Sequence, residues 1–242
     1  MLLLEFFGGA HAAIPVANRL LRALSPDDLD PLRAHLETVP LPQKQTLSSP
    51  GTSIDHVYFP QEGMVSLVQP LEDVATIEVG MIGNEGLVGT PVLLGADSSP
   101  SRSDGPDSRV CLANAGKRFR EEVGHRAGFL GVLLRYAQAL HVQVSLTAAC
   151  NGRHTVPERL ARWLLTAHDR SPNDQLPLSH EFLSQMLGVR RAGVTVALGT
   201  LKVAGLIRNS HAQVHIIDRL GLEAASCDCY STVRDEYARL LS

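Results

Sequence analysis

Leucines at positions 20, 21 and 24, and again at 29, 32 and 36, recur at helical spacing and predict a helical stretch over residues 18–37. Asn18 is a candidate cap, and Ser25-Pro26-Asp27-Asp28 reads as a fresh helix start with proline in its first turn. Pro40 and Pro42 close this stretch. The period then shortens. Apolar runs at residues 56–59, 64–68 and 75–79 are punctuated by Gly51, Gly63, Gly80, Gly83, Gly86 and Gly89, which predicts short strands of an antiparallel roll or barrel. Residues 95–109 are the most polar stretch and are expected to be a mobile loop, with one more strand around residues 110–112. Residues 118–152 return to helical period. Leu130, Leu134, Ala137, His141, Val144 and Ala148 step by four and three, the spacing of a seam between two helices. A seam between two copies of the chain and a helix packed on its own domain both satisfy that spacing.

Thr155-Val156-Pro157-Glu158 forms a capping box, and Leu160, Trp163, Leu164 and Ala167 continue its helix until Asn173-Asp174. The segment from Leu178 to Leu198 is the most informative. Ser179 can cap a short helix that buries Phe182, Leu183 and Met186. Gly188 stands where a tight turn needs positive φ. Val189 plugs the angle after it, and a second helix starting near Arg190 buries Val194, Ala197, Leu198 and Leu201. Arg190, Arg191 and Thr195 then point outward from the end that a recognition helix presents to the major groove. An arginine fork suits guanine O6 and N7. Lys202 and Arg208 add positive charge. Residues 204–208 end the helix, and after a turn at Asn209-Ser210-His211 the residues 213–217 read as a strand. Helix, glycine, arginine-bearing helix and hairpin in this order describe a winged helix. A three-helix packing unit with solvated arginines is the bland alternative.

Charge sharpens this division. The 242 residues carry a net charge of −3, and 44% are apolar, ample for a core. Residues 1–152 hold 11 Lys+Arg against 16 Asp+Glu, residues 153–219 hold 9 against 5, and residues 220–242 hold 2 against 4. An acidic body thus joins a basic module that contains the helix-turn-helix pattern. No apolar run approaches the roughly 20 residues that span a bilayer. The apolar start, Met1-Leu2-Leu3-Leu4-Glu5, lacks a basic flank and does not read as a signal peptide, so a cytoplasmic location is expected. Cys111, Cys150, Cys227 and Cys229 include no CxxC pair. Cys227-Asp228-Cys229 could ligate a metal or sense oxidation, but it reads as incidental thiols, and no metal site is expected.

These features resemble the Crp/Fnr family of bacterial transcription regulators over roughly residues 18–240. The likeness is carried by residues 178–207 and by Val57-Tyr58-Phe59-Pro60, Gly63, Ser66-Leu67-Val68, Ile82-Gly83 and Glu85-Gly86-Leu87-Val88-Gly89. The resemblance implies an α+β fold: an N-terminal antiparallel, jelly-roll-like β-roll, a long dimerisation helix and a C-terminal winged helix-turn-helix. The corresponding division is an extension (1–17), a cyclic-nucleotide-binding-like sensor roll (18–117), a dimerisation helix (118–152), the winged-helix module (153–219) and a helical tail (220–242). It implies double-stranded DNA and a second copy of the chain as partners, with RNA polymerase as a further one. Ser179, His180, Arg190, Arg191, Thr195, Lys202 and Arg208 are the expected DNA contacts, Arg191 falling on the base-reading arginine. Ala192 and Val196 depart from the frequent Glu and Arg, so no operator sequence carries over. Leu130, Leu134, Ala137, His141, Val144 and Ala148 are the expected dimer contacts. In nucleotide-binding members a Gly-Glu pair and an Arg followed by a small hydroxyl residue hold ribose and phosphate. Glu85, Arg102 and Ser103 are the nearest equivalents here, yet Asn84 interrupts the first pattern and Asp104 would repel a phosphate. A cyclic nucleotide is therefore one candidate effector, and a roll that senses something else, or nothing, is the other. The iron–sulfur mode needs an N-terminal cysteine cluster, and no cysteine precedes Cys111; no iron–sulfur cluster is expected. A haem would need an axial ligand from His56, His125 or His141, with no supporting pattern.

Two other functions compete with this reading. A cupin-like metal enzyme needs clustered ligands on neighbouring strands, and only His56 lies within residues 40–110. No phosphate loop, GxSxG or HExxH occurs, so no enzyme is expected. An adaptor that uses its winged helix for protein contacts is the remaining alternative.

Overall fold

The computed structural model describes residues 16–41, 45–72, 76–108, 110–210 and 212–241. The extension at residues 1–15 and His211 therefore lie outside it. The chain begins with two short helices, α1 (Arg19–Arg22) and α2 (Pro26–Arg33), capped by the Asn18 and Ser25 side chains. Leu20, Leu21, Leu24, Leu32 and Leu36 are all buried. The helical reading runs too far here. Residues 37–40 form β1 (Glu37–Pro40), an edge strand that ends in the proline taken as a helix terminator.

The roll is completed by β2 (Gln45–Ser48), β3 (His56–Pro60), β4 (Gly63–Pro70), β5 (Thr76–Ile82), α3 (Thr90–Leu93), β6 (Arg102–Ser108) and β7 (Val110–Ala115). Two antiparallel sheets result, in the orders β1-β7-β3 and β2-β6-β4-β5. Val57, Phe59, Val65, Ile82, Leu87, Val88 and Leu112 belong to the core they enclose. The expected mobile loop is a strand over most of its second half. β6 has poor strand propensity, but it pairs with β2 on one side and β4 on the other. Backbone pairing on both edges, with the Thr46 hydroxyl donating to Asp104 at 2.9 Å, overrides composition.

The helical stretch expected over 118–152 is two helices, α4 (Gly116–Gly124) and α5 (Ala127–Arg153), parted at His125-Arg126. α5 buries Phe129, Leu133, Tyr136 and Leu140 against the roll. Of the expected seam residues, Leu134, His141 and Ala148 are exposed and Ala137 is half-buried, whereas Leu130 and Val144 are half-buried against the roll's core.

His154 caps α5 in extended conformation, and α6 (Val156–His168) starts at once with the Thr155–Glu158 capping box. α6 ends at His168, ahead of Asn173-Asp174. β8 (Gln175–Leu176), α7 (His180–Leu187), α8 (Arg191–Val203), β9 (Ile207–Ser210) and β10 (Gln213–Ile216) complete the winged helix, with the sheet order β8-β10-β9. Asn209 and Ser210 lie in β9 rather than in the wing's turn. The tail is not an appendage. After α9 (Arg219–Ala225), α10 (Cys229–Leu241) runs back along α5, and Tyr237 joins the roll's core.

Candidate nucleic-acid interface and effector cavity

The helix-turn-helix follows from local chemistry. The Ser179 hydroxyl accepts from the Phe182 N–H at 3.0 Å, so this expected DNA contact serves as the cap of α7. Gly188 closes α7 in the left-handed region at φ 60. α8 buries Val194, Ala197, Leu198 and Leu201, as its spacing predicts. Arg190, Arg191, Ala192, Thr195, Val196 and Lys202 are exposed, Val196 by 69%. His180 Nδ1 lies 3.0 Å from the Thr195 hydroxyl, which donates to the Arg191 carbonyl. A hydroxyl has one hydrogen, so His180 Nδ1 supplies the proton of the other bond. Thr195 is then left with its methyl to present.

The positive charge of the module is more localised than its total. Arg159 and Arg162 are buried. Arg170 is buried with Glu85, and Arg219 is held by Asp169 and Glu223. Arg190, Arg191, Lys202 and Arg208 are the exposed cations on the helix-turn-helix and wing, with Arg153 apart from them at the end of α5.

The structure does not bring the expected effector residues together. The Glu85 carboxylate accepts from Arg170 Nη2 at 2.6 Å and from the Gly83 N–H at 3.0 Å. Arg102 is paired with Asp104 at 2.8 Å. Ser103 is buried and lines a cavity of about 190 Å³ with Leu67, Thr90 and Leu140, between the roll and α5. Glu85 lines a different cavity of about 190 Å³, with Arg170, Tyr230 and Tyr237. The pairing of Glu85 with Arg170 spans 85 positions, and no local pattern announces it.

Roll and winged helix share one core. Met64, Val68 and Met81 of the roll pack with Leu160, Leu164, Leu187, Val194 and Leu198. A Cβ on Gly188 would stand 2.6 Å from Ile77 of β5. At the centre of this contact Glu78 accepts from the Trp163 indole at 2.8 Å and from the Ser66 hydroxyl at 2.5 Å. Burial pushes the Glu78 carboxyl up to about 7, although these two bonds and the nearby Arg162 and Arg170 pull the other way. Gln143 of α5 accepts from the Met81 N–H at 2.6 Å and donates to the Tyr237 hydroxyl at 3.1 Å.

Among the described residues, one group of side chains is arranged to hold a metal: Cys150, His154, Cys227 and Cys229. The CxC pair was visible in the sequence, but its two partners are about 75 positions away. No helix is long and apolar enough to cross a membrane, among the described residues.

Residues 158–225 match the model of the Crp-like helix-turn-helix domain. No curated protein matches the chain by sequence. Among solved structures, a CRP-family transcriptional regulator from Thermus thermophilus is 20% identical, with a TM-score of 0.65 over 78% of this chain and 96% of that one. FixK2 from Bradyrhizobium japonicum is 16% identical, with a TM-score of 0.68 over 79% and 98%. The c-di-GMP responsive regulator CLP of Xanthomonas campestris is 18% identical, with a TM-score of 0.62 over 79% and 99%. At these identities the likeness establishes a common fold. Residues 158–225 are thus a Crp-like helix-turn-helix domain, in a chain whose overall fold is like that of these regulators.

Proposed function

We propose that the chain acts as a homodimer that reads a two-fold operator with α8 in the major groove. The observation that carries this is the solvent face of α8, where two arginines at the N-terminal end adjoin an uncharged strip of Ala192, Thr195 and Val196. Arg191 forks onto a guanine, and Arg190, Lys202 and Arg208 hold phosphates. Val196 and the Thr195 methyl contact thymine methyl groups, while Ala192 and Val196 stand in place of the polar readers frequent in the family. The open face of α5, marked by Leu134, His141 and Ala148, meets its copy. Half-sites then lie about one helical turn apart. An effector binds in the cavity between Leu67, Ser103 and Leu140, whose lining is mostly apolar and hydroxyl-bearing. Glu85 and Arg102 are committed elsewhere, which favours an effector other than a cyclic nucleotide held through a ribose–phosphate clamp.

Selection of binding sites from random DNA should recover a two-fold sequence, and log affinity should fall steeply with log salt, because binding releases the counterions condensed on several phosphates. Arg191→Ala should cost about 1–3 kcal/mol and relax preference at one base pair per half-site. Equal weakening on every sequence would make Arg191 a phosphate contact only. Failure to bind DNA at low salt would leave the adaptor reading in its place.

A further inference from the structure

Three thiols and an imidazole converge at the junction between α5 and α6. Cys150 lies in the last turn of α5 and His154 caps it, four residues on and therefore on the same face. Cys227 and Cys229 flank the start of α10. All three cysteines are buried and none is in a disulfide. The four ligand atoms lie within 4.8 Å of one another. Cys150 Sγ is 3.5 Å from Cys227 Sγ, and Cys229 Sγ is 3.7 Å from His154 Nδ1. Around a tetrahedral zinc, with bonds of about 2.3 Å to sulfur and about 2.0–2.1 Å to nitrogen, ligand atoms stand about 3.5–3.8 Å apart. Two edges of such a tetrahedron are therefore already in place.

The surroundings point to the same occupant. Arg159 and Arg162 are 6% and 9% exposed, and the Nε of each has no hydrogen-bond partner among the described residues. Arg159 acts electrostatically on Cys150 and Cys227, and Arg162 on Cys150 and Cys229. Buried guanidinium N–H groups without acceptors are costly. Three thiolates, one imidazole and a divalent ion carry a net charge of −1, and thiolate sulfur accepts N–H bonds. His154 Nε2, the other ring nitrogen, faces the Asp228 carboxylate at 3.8 Å, the outer partner that metal-bound histidines usually have.

We propose that Cys150, His154, Cys227 and Cys229 form a closed, four-ligand structural zinc site. Thiolates with imidazole select zinc over hard cations such as magnesium or calcium. The site fastens the C-terminal tail to the hinge between α5 and the winged-helix module. His154 immediately precedes the Thr155 cap of α6. Arg159 donates to the Leu187 carbonyl, one residue before the Gly188 turn. Zinc occupancy thereby bears on where α8 stands. The site itself is independent of the DNA reading, and only this last consequence rests on it.

The test uses the untagged full-length chain, purified without chelator. Elemental mass spectrometry should find one zinc per chain. Removing the zinc and adding Co(II) should give the intense ligand-field and thiolate charge-transfer bands of a tetrahedral site, abolished by added zinc. Cys229→Ser should lose the zinc, and His154→Cys should retain it as a four-thiolate site. If Cys229→Ser does not fold by circular dichroism, the cobalt spectrum of the native sequence still decides. Absence of zinc combined with weak octahedral cobalt bands would overturn the site. So would a Cys150–Cys227 disulfide in protein isolated with thiols trapped, or iron with visible absorption in place of zinc.

Discussion

Glu78→Gln isolates the buried carboxyl on which roll and winged helix meet. Glu78 is 7% exposed, and burial holds its proton up to about 7 instead of the ordinary 4.5. That difference corresponds to about 3 kcal/mol. Between those two pH values the folded protein keeps a proton that the unfolded chain has released. Stability from this group is therefore fully present below about pH 4.5 and is lost as pH rises through about 7. Glutamine keeps an oxygen for the Trp163 indole and an amide facing the Ser66 hydroxyl, but it cannot ionise. Urea unfolding on either side of that window, at about pH 4 and about pH 8 for both proteins, gives a double difference in which other titrating groups cancel. The native protein should lose up to about 3 kcal/mol more than the variant across that range. Trp163 is the chain's only tryptophan, so its fluorescence reports the contact directly. Its emission should titrate near pH 7 in the native protein and stay flat in the variant. Parallel stability profiles for the two proteins would refute the assignment.

Glu85→Ala strips a buried guanidinium of its carboxylate, with side chains only 8% and 7% exposed, and should cost about 3–5 kcal/mol in thermal or urea unfolding. A well-packed double replacement, Glu85→Leu with Arg170→Met, should recover most of that loss. Gly188→Ala imposes the left-handed penalty of about 1–2 kcal/mol and drives a methyl into Ile77. Adding Ile77→Ala should relieve the second part but not the first, measurable as a double-mutant coupling.

What was legible in the chain was local. The capping box at Thr155, the positive φ at Gly188 and the buried face of α8 depend on residues within a few positions, and each stands as its spacing predicts. Local signal failed where tertiary pairing overruled it. β6 reads as loop by composition and is held as a strand by neighbours on both sides. The charge count failed for a related reason: it weighs buried and exposed arginines alike, whereas Arg159, Arg162 and Arg170 face inward. Glu85 was read from a family pattern toward a ribose, but a partner 85 positions away takes its carboxylate. The metal cluster was half visible, because a CxC pair shows in sequence and its distant partners do not.

The same long-range contacts decide how a signal could travel. Leu67 of β4 and Leu140 of α5 both line the cavity proposed for an effector. Leu67 pairs with Gly80 of β5, and Gln143, one turn beyond Leu140, holds the next residue, Met81. An effector that parts Leu67 from Leu140 therefore loads β5, which carries Ile77 against the Gly188 turn and Glu78 against Trp163. Swinging a two-state balance from 1:99 to 99:1 takes about 5.5 kcal/mol of differential affinity. Coupling through β5 then requires that Leu140→Ala and Ile77→Ala be non-additive in DNA affinity. Additive effects within about 0.5 kcal/mol would mean that the cavity and the helix-turn-helix do not communicate through this strand.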